Sequence, residues 1–233
     1  MKKSNFYLAS ILILGLSSMF SSCKKDDTNA PIITLVGDSE ITLDLQTPYQ
    51  ELGATAIDDE DGELIVEISG DVDINLKGVY TITYTATDEA GNIAIEDRIV
   101  NIVNSADFLA GNYINAKDSC GPTSNEQALF NAIVTTSDTD NGKFSISNFG
   151  AFNIPANPPQ PGEIATINLI YNKQTNKITA ADLPQNLTGG ASLTTVYPSS
   201  GVLSLFNPVT FKIVYEWVDN TNQPDICTST YTK

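Results

Sequence analysis

Two short acidic segments hold the side chains best suited to chemistry. One is Asp58-Asp59-Glu60-Asp61-Gly62 and the other is Asp88-Glu89-Ala90-Gly91-Asn92. A calcium ion takes roughly six to eight oxygens from carboxylates, amides, carbonyls and water, and short Asp-rich loops supply them. If the two segments lie at the same end of the fold, Asp58, Asp61 and Asp88 are the expected side-chain ligands, with Asp59 and Asn92 as helpers. The spacing is not that of an EF-hand loop. Asp, Asn and Gly also favour turns for backbone reasons alone, so the same residues have a second reading as plain turn formers. The candidate cofactor is Ca²⁺; nothing in the chain requires one.

Catalytic arrangements are scarcer. The chain has no histidine, which excludes Ser-His-Asp and Cys-His nucleophile pairs and His-based zinc sites. A glycosidase needs only two carboxylates at a set separation, and 28 acidic residues make such a pair available without any motif singling one out. No nucleophile-elbow pattern and no Gly-rich phosphate loop are present. The expectation is a protein that is not an enzyme, with an unrecognised carboxylate-dependent hydrolase as the remote alternative. Carbohydrate binding would call for an exposed aromatic platform. Trp217 is the single tryptophan, but it alternates with Val209, Phe211, Ile213 and Tyr215, which places it with a core face; Tyr171 and Tyr197 are not marked as a pair.

These residues need elements to hold them. Net charge is −16 and unevenly spread: residues 30–104 carry 16 acids against Lys77 and Arg98, whereas residues 105–233 carry 10 acids against six lysines. The asymmetry argues for two modules and against nucleic-acid binding, which depends on basic phosphate contacts. Alternation and turn chemistry dominate both halves, and no helical period is sustained. In Val79–Asp88, Tyr80, Ile82, Tyr84 and Ala86 fall on one face and threonines on the other, the pattern of a half-buried strand. Strands are also expected at ITLDLQ, at GELIVEISG and at IAIEDRIVNIV. In the second half they are expected at NAIVTT, KFSISNFG, INLIYN, KITAADL, VTFKIVYEWV and CTSTYTK, with a proline-rich surface loop at FNIPANPPQPG. The fold class is all-β: an immunoglobulin-like sandwich followed by an antiparallel β-barrel or sandwich domain.

The N-terminus has the layout of a signal peptide. Lys2 and Lys3 form a basic start, an apolar stretch runs from Phe6 to about Leu16, and small residues lead to Cys23. The apolar stretch is too short for a spanning helix, which needs about 20 residues. Phe20-Ser21-Ser22-Cys23 resembles the lipobox of bacterial lipoproteins. That resemblance implies cleavage before Cys23, lipid modification of its thiol, and stable anchoring by several acyl chains. Lys24-Lys25-Asp26-Asp27 then reads as a solvated tether, and its acids resemble the export tag of lipoproteins displayed on the outer face of Gram-negative outer membranes. With Cys23 lipidated, Cys120 and Cys227 are left as one available disulfide in an oxidising compartment, the alternative being two free buried thiols.

Residues 30–104 resemble the bacterial immunoglobulin-like domain of secreted and surface proteins. The likeness rests on Ala30-Pro31-Ile32-Ile33, Gly53-Ala54, Ala56-Ile57-Asp58, Asp61-Gly62, Gly78-Val79-Tyr80, Tyr84–Asp88 and Ala90-Gly91-Asn92. It implies a spacer, adhesion or carbohydrate-associated module. Asn148-Phe149-Gly150, Pro208–Phe211 and the terminal Cys-Thr-Ser-Thr-Tyr look like the compact domains that end many surface lipoproteins. The expected layout is a signal peptide at 1–22, a lipidated cysteine and tether at 23–29, the immunoglobulin-like domain at 30–104 and a barrel-like domain at 105–233. The expected function is a surface-exposed, lipid-anchored binding or adhesion module. Its candidate partners are the membrane and a carbohydrate or protein ligand; the alternative is a structural part of the cell envelope without a soluble ligand.

Overall fold

Ten consecutive residues, Gly78–Thr87, pair antiparallel with Ile93–Val103 in a register running from Gly78↔Ile102 to Thr87↔Ile93. This long hairpin is the backbone of the first module. The computed structural model describes residues 27–120, 128–149, 166–183, 185–186, 192–197, 200–205, 208–218 and 224–233. Among them are seventeen strands and one 3-10 turn at Asp107–Leu109. The expected signal peptide, Cys23, Lys24 to Asp26 and the proline-rich 152–162 segment lie outside the described residues. So does the side chain of Trp217.

The first seven strands are β1 (Ile32–Leu35), β2 (Glu40–Asp44), β3 (Ala54–Asp58), β4 (Gly62–Leu64), β5 (Glu67–Ser69), β6 (Gly78–Thr87) and β7 (Ile93–Val103). They form two sheets in the orders β1-β3-β4 and β2-β7-β6-β5. Alternation decides which side chains lie between the sheets: Ile82, Tyr84 and Ala86 from β6 meet Ile33 and Ala56 from the opposite sheet. The segment expected as one strand over 62–70 breaks in two. β4 pairs with β3 and β5 pairs with β6, so the chain changes sheets at Ile65-Val66. Three consecutive apolar residues, Leu64-Ile65-Val66, spoil the period-2 pattern at that step.

Arg98 of β7 is fully buried in this module. A buried guanidinium is tolerated only when its donors are met, and here they are. Nη1 donates to Glu51 Oε1, Nη2 to the Val36 carbonyl at 2.6 Å and Nε to the Asp38 carbonyl at 3.0 Å. Its plane lies 5.5 Å from the Tyr84 ring centroid. Glu51 also accepts from Tyr84 at 2.5 Å, from Gly53 N–H at 2.6 Å and from Tyr49.

The second module contains β8 (Gly111–Cys120), β9 (Ala128–Thr136), β10 (Lys143–Ser147), β11 (Thr166–Asn172), β12 (Lys177–Ala180), β13 (Gln185–Asn186), β14 (Ser192–Val196), β15 (Gly201–Ser204), β16 (Thr210–Val218) and β17 (Pro224–Thr232). The antiparallel order β16-β15-β12-β11-β10-β9-β8-β17 closes on itself because β17 also pairs with β16, which makes an eight-stranded barrel. β13 and β14 extend from the far half of β16. Inward-facing aromatic rings fill the interior. Phe211 stacks on Tyr231 with centroids 4.6 Å apart, and Tyr113 meets both edge-on at 5.3 and 5.9 Å. The alternation read over residues 209–217 is present as far as Tyr215: Phe211, Ile213 and Tyr215 are buried, and Val209 packs against the same core.

Cys120 and Cys227 are directly opposite each other on β8 and β17, with Cα atoms 4.0 Å apart, and form a disulfide. The seam they close is the one between the first and last strands of the barrel.

The two modules meet at Asn104, which is buried between β7 and the 3-10 turn. Its Nδ2 donates to the carbonyls of Ser137, Asp140 and Lys143 at 2.8, 3.0 and 3.1 Å. Its Oδ1 accepts from Ala106 and Gly142 N–H, both at 2.9 Å. All but Ala106 belong to the β9–β10 hairpin. Gly142 has φ +76°, and a Cβ there would run into the Tyr171 carbonyl, so the turn depends on glycine. Lys77 adds an ion pair to Asp107 at 2.6 Å and a backbone bond to the Asp138 carbonyl at 2.8 Å; Lys173 reaches Asp44 at 2.8 Å.

Candidate functional site

Asp58 is the last residue of β3, and Asp88 follows the last residue of β6. The strands belong to different sheets, yet their loops meet at one tip, where the Glu89 N–H donates to Asp61 Oδ2 at 2.7 Å. Asp58 is 4% exposed. Its Oδ1 accepts the N–H groups of Glu60 and Asp61 at 2.8 and 3.0 Å, the usual way an aspartate organises a turn. Its Oδ2 is buried and has no partner.

Asp88 is 6% exposed. Asn92 grips it twice, through its backbone N–H to Oδ1 at 2.7 Å and through Nδ2 to Oδ2 at 2.8 Å. Burial pushes the Asp88 carboxyl up, but the bonds from Asn92 and from the Gly91 and Ala90 N–H groups outweigh it and hold the group below its ordinary value. A third carboxylate arrives from the N-terminal segment. One oxygen each of Asp27, Asp58 and Asp88 lie within 4.8 Å of one another. Asp27 is held there by Asn92 Nδ2, which donates to the Asp27 carbonyl at 3.3 Å. Among the described residues no lysine or arginine is ion-paired with any of the three.

Of the five residues expected at this tip, Asp58 and Asp88 come together as carboxylates. Asp61 is committed to the Glu89 N–H, and Asp59 faces Asn29, which donates to it at 3.2 and 3.4 Å. Asn92 supports the tip as a hydrogen-bond donor. Asp27 escaped notice in the sequence because it sits 31 positions before Asp58, in a stretch read as tether.

Two other polar groupings belong to the scaffold. In the barrel, Asp118 is buried beside the disulfide and accepts from Ser229 at 2.7 Å and from Tyr215 at 3.1 Å. Burial is the main influence on it and pushes its carboxyl up to about 6, with the two hydroxyl donors opposing. In the first module an open groove of ≈ 540 Å³ is lined by Tyr49, Glu51, Asp71 and Ile82 among others. Burial works against ionising Glu51, but the bonds from Tyr49, Tyr84, Gly53 and Arg98 bring it down to about 2. A carboxylate so engaged is a structural acceptor and a poor general acid.

Residues 33–102 match the family model described as bacterial surface protein, Ig-like domain. No curated protein matches the chain. Among solved structures, the chain is similar to the lipoprotein BT2262 from Bacteroides thetaiotaomicron, at 22% identity and a TM-score of 0.37, over 86% of this chain and 99% of that one. It is also similar to a Clostridium perfringens ZmpB structure containing CBM51-2 in complex with GlcNAc and INT domains, at 15% identity and a TM-score of 0.26, over 87% of this chain and 44% of that one. Likeness at these scores carries nothing about ligand or chemistry.

Proposed function

We propose that this protein is a lipid-anchored, outward-facing lipoprotein of a Gram-negative outer membrane. It acts as a non-catalytic binding or adhesion module in which the immunoglobulin-like part holds the barrel away from the membrane in a fixed direction. The observation that carries the reading is the joint at Asn104. A spacer that only adds length needs a slack linker, whereas one buried side chain here makes four hydrogen bonds across to a barrel hairpin. The match of residues 33–102 to a surface-protein domain family supports the location, and Phe20-Ser21-Ser22-Cys23 supports the anchor. A carbohydrate or protein is the class of ligand that suits an exposed barrel wall and its loops.

The aromatic core of the barrel favours a second reading. Phe144, Phe211, Tyr215 and Tyr231 are packed together inside it, and an interior built of large side chains suits a structural role in the envelope. One experiment separates the two. Cells expressing the protein, cells lacking it and cells with Cys23→Ala are compared for protease shaving, for retention on immobilised glycans and surface proteins, and for detergent sensitivity. Shaving and retention that are both lost with Cys23→Ala support display and binding. Detergent sensitivity in the deletion strain with unchanged retention supports the structural reading. Lipid labelling that persists in Cys23→Ala would refute the anchor.

A further inference from the structure

We propose that Asp27, Asp58 and Asp88 form a divalent-cation site, with calcium as the fitting ion, and that the bound ion clasps the N-terminal tether to the tip of the immunoglobulin-like module. Three carboxylates converge within 4.8 Å on a tip without a paired cation among the described residues. Like charges this close repel unless something positive sits between them. Charge alone would not distinguish a site from a solvated acidic loop. Asp58 Oδ2 does: it is buried, in a residue 4% exposed, and no donor of the protein reaches it. A buried, unpartnered carboxylate oxygen is costly and rare, and an oxygen-seeking cation removes the cost without displacing any bond already made.

The rest of the tip is arranged to leave oxygens available. Asp58 uses only Oδ1 on the Glu60 and Asp61 N–H groups. Asn92 fixes Asp88 and, through the same Nδ2, the carbonyl of Asp27. Asp61 ties the two loops together by holding the Glu89 N–H, so the ligand-bearing segments are fixed relative to each other before any ion arrives. Hard carboxylate oxygens without histidine or thiolate in reach select calcium or magnesium over softer metals. Calcium tolerates the irregular geometry better and completes its shell with water. Three carboxylates and solvent make a site of modest affinity, with Kd on the order of 10⁻⁴–10⁻³ M, the range of extracellular modules.

The consequence rests on the lipid-anchor reading. Asp27 lies four residues after Cys23, so an ion bridging Asp27 to both loops draws the module's tip onto its own anchor and fixes the angle at which the molecule leaves the membrane. Chelation frees that angle.

The test is calcium titration calorimetry and thermal melting of the detergent-solubilised protein, with sodium at matched ionic strength as control. Wild type is expected to bind about one calcium, and 10 mM calcium to raise Tm by several degrees. Asp58→Asn keeps the Oδ1 acceptor for the turn while removing charge, and is expected to abolish both effects. Asp27→Asn keeps the backbone carbonyl that Asn92 holds and an Oδ1 acceptor for the Asn29 N–H, and is expected to weaken binding about tenfold; Glu67→Gln, on exposed β5, leaves it unchanged. No binding heat and no Tm shift in wild type, or an equal shift with sodium, would overturn the site. Binding lost in Asp58→Asn but intact in Asp27→Asn would overturn the clasp. Lipid labelling of Cys23 reports separately on the anchor, so failure of one reading does not imply failure of the other.

Discussion

Two carboxylates, one buried and one half-buried, give the modules opposite responses to pH. Asp118 binds its proton more tightly in the folded barrel than in the unfolded chain, because burial raises it from 3.8 to about 6. Its contribution to stability is therefore fully present below about pH 4 and is lost as pH rises through 6. Two pH units correspond to about 3 kcal/mol. Glu51 runs the other way: lowered from 4.5 to about 2, it contributes above pH 4.5 and loses that contribution as pH falls toward 2. Denaturant melts followed by aromatic fluorescence at pH 4, 5, 6 and 7 are expected to show falling barrel stability with rising pH. In Asp118→Asn the slope over this range flattens. A barrel equally stable at pH 4 and 7 would mean that Asp118 stays hydrated.

Among the elements, the seam between β8 and β17 depends most on covalent help. The bond between Cys120 and Cys227 closes a loop across 107 residues. In the chain-entropy account such a loop contributes about 4–5 kcal/mol by restricting the unfolded chain. Reduction, or Cys227→Ser, is expected to lower the barrel's Tm by more than 10 °C on a non-reducing against reducing melt; an unchanged Tm would show that side-chain packing alone holds the seam. How well such elements could be read from the sequence follows their regularity. β6 and β16 up to Tyr215 keep strict alternation, so their buried faces were legible residue by residue, whereas β7 was legible as a strand without its faces. β8 was not, because a bulge between Tyr113 and Ala116, with Asn115 at φ +60°, inserts an extra residue and shifts the pattern. The break at Ile65-Val66 was hidden for a similar reason. The tip was half legible: Asp58 and Asp88 were marked by their turns, whereas Asp27 owes its place to tertiary folding. Arg98 and Asn104 gave no local sign of their roles, since the hydrogen-bond partners of Arg98 lie 47 to 62 positions away and those of Asn104 in the barrel hairpin lie 33 to 39 positions away.

For the whole molecule, the arrangement of β2 and β7 matters beyond the stability of one sheet. These strands run parallel, from Glu40↔Ile99 to Asp44↔Val103. The tether enters on the N-terminal side of β2, behind β1, and the path to the barrel leaves just past Val103. In a parallel pair those two exits lie at opposite ends of the ladder. If the protein is anchored at its N-terminal end and the barrel holds a partner, as proposed, tension along the chain would load β2 against β7 in shear, with the rungs carrying it together instead of opening one after another. Single-molecule pulling between the N-terminal segment and the barrel is expected to need a much larger force than pulling the β6–β7 hairpin apart from its open end. The same hydrogen bonds that order the sheet would then make the protein a mooring line, strongest along the direction in which a surface-held cell is pulled.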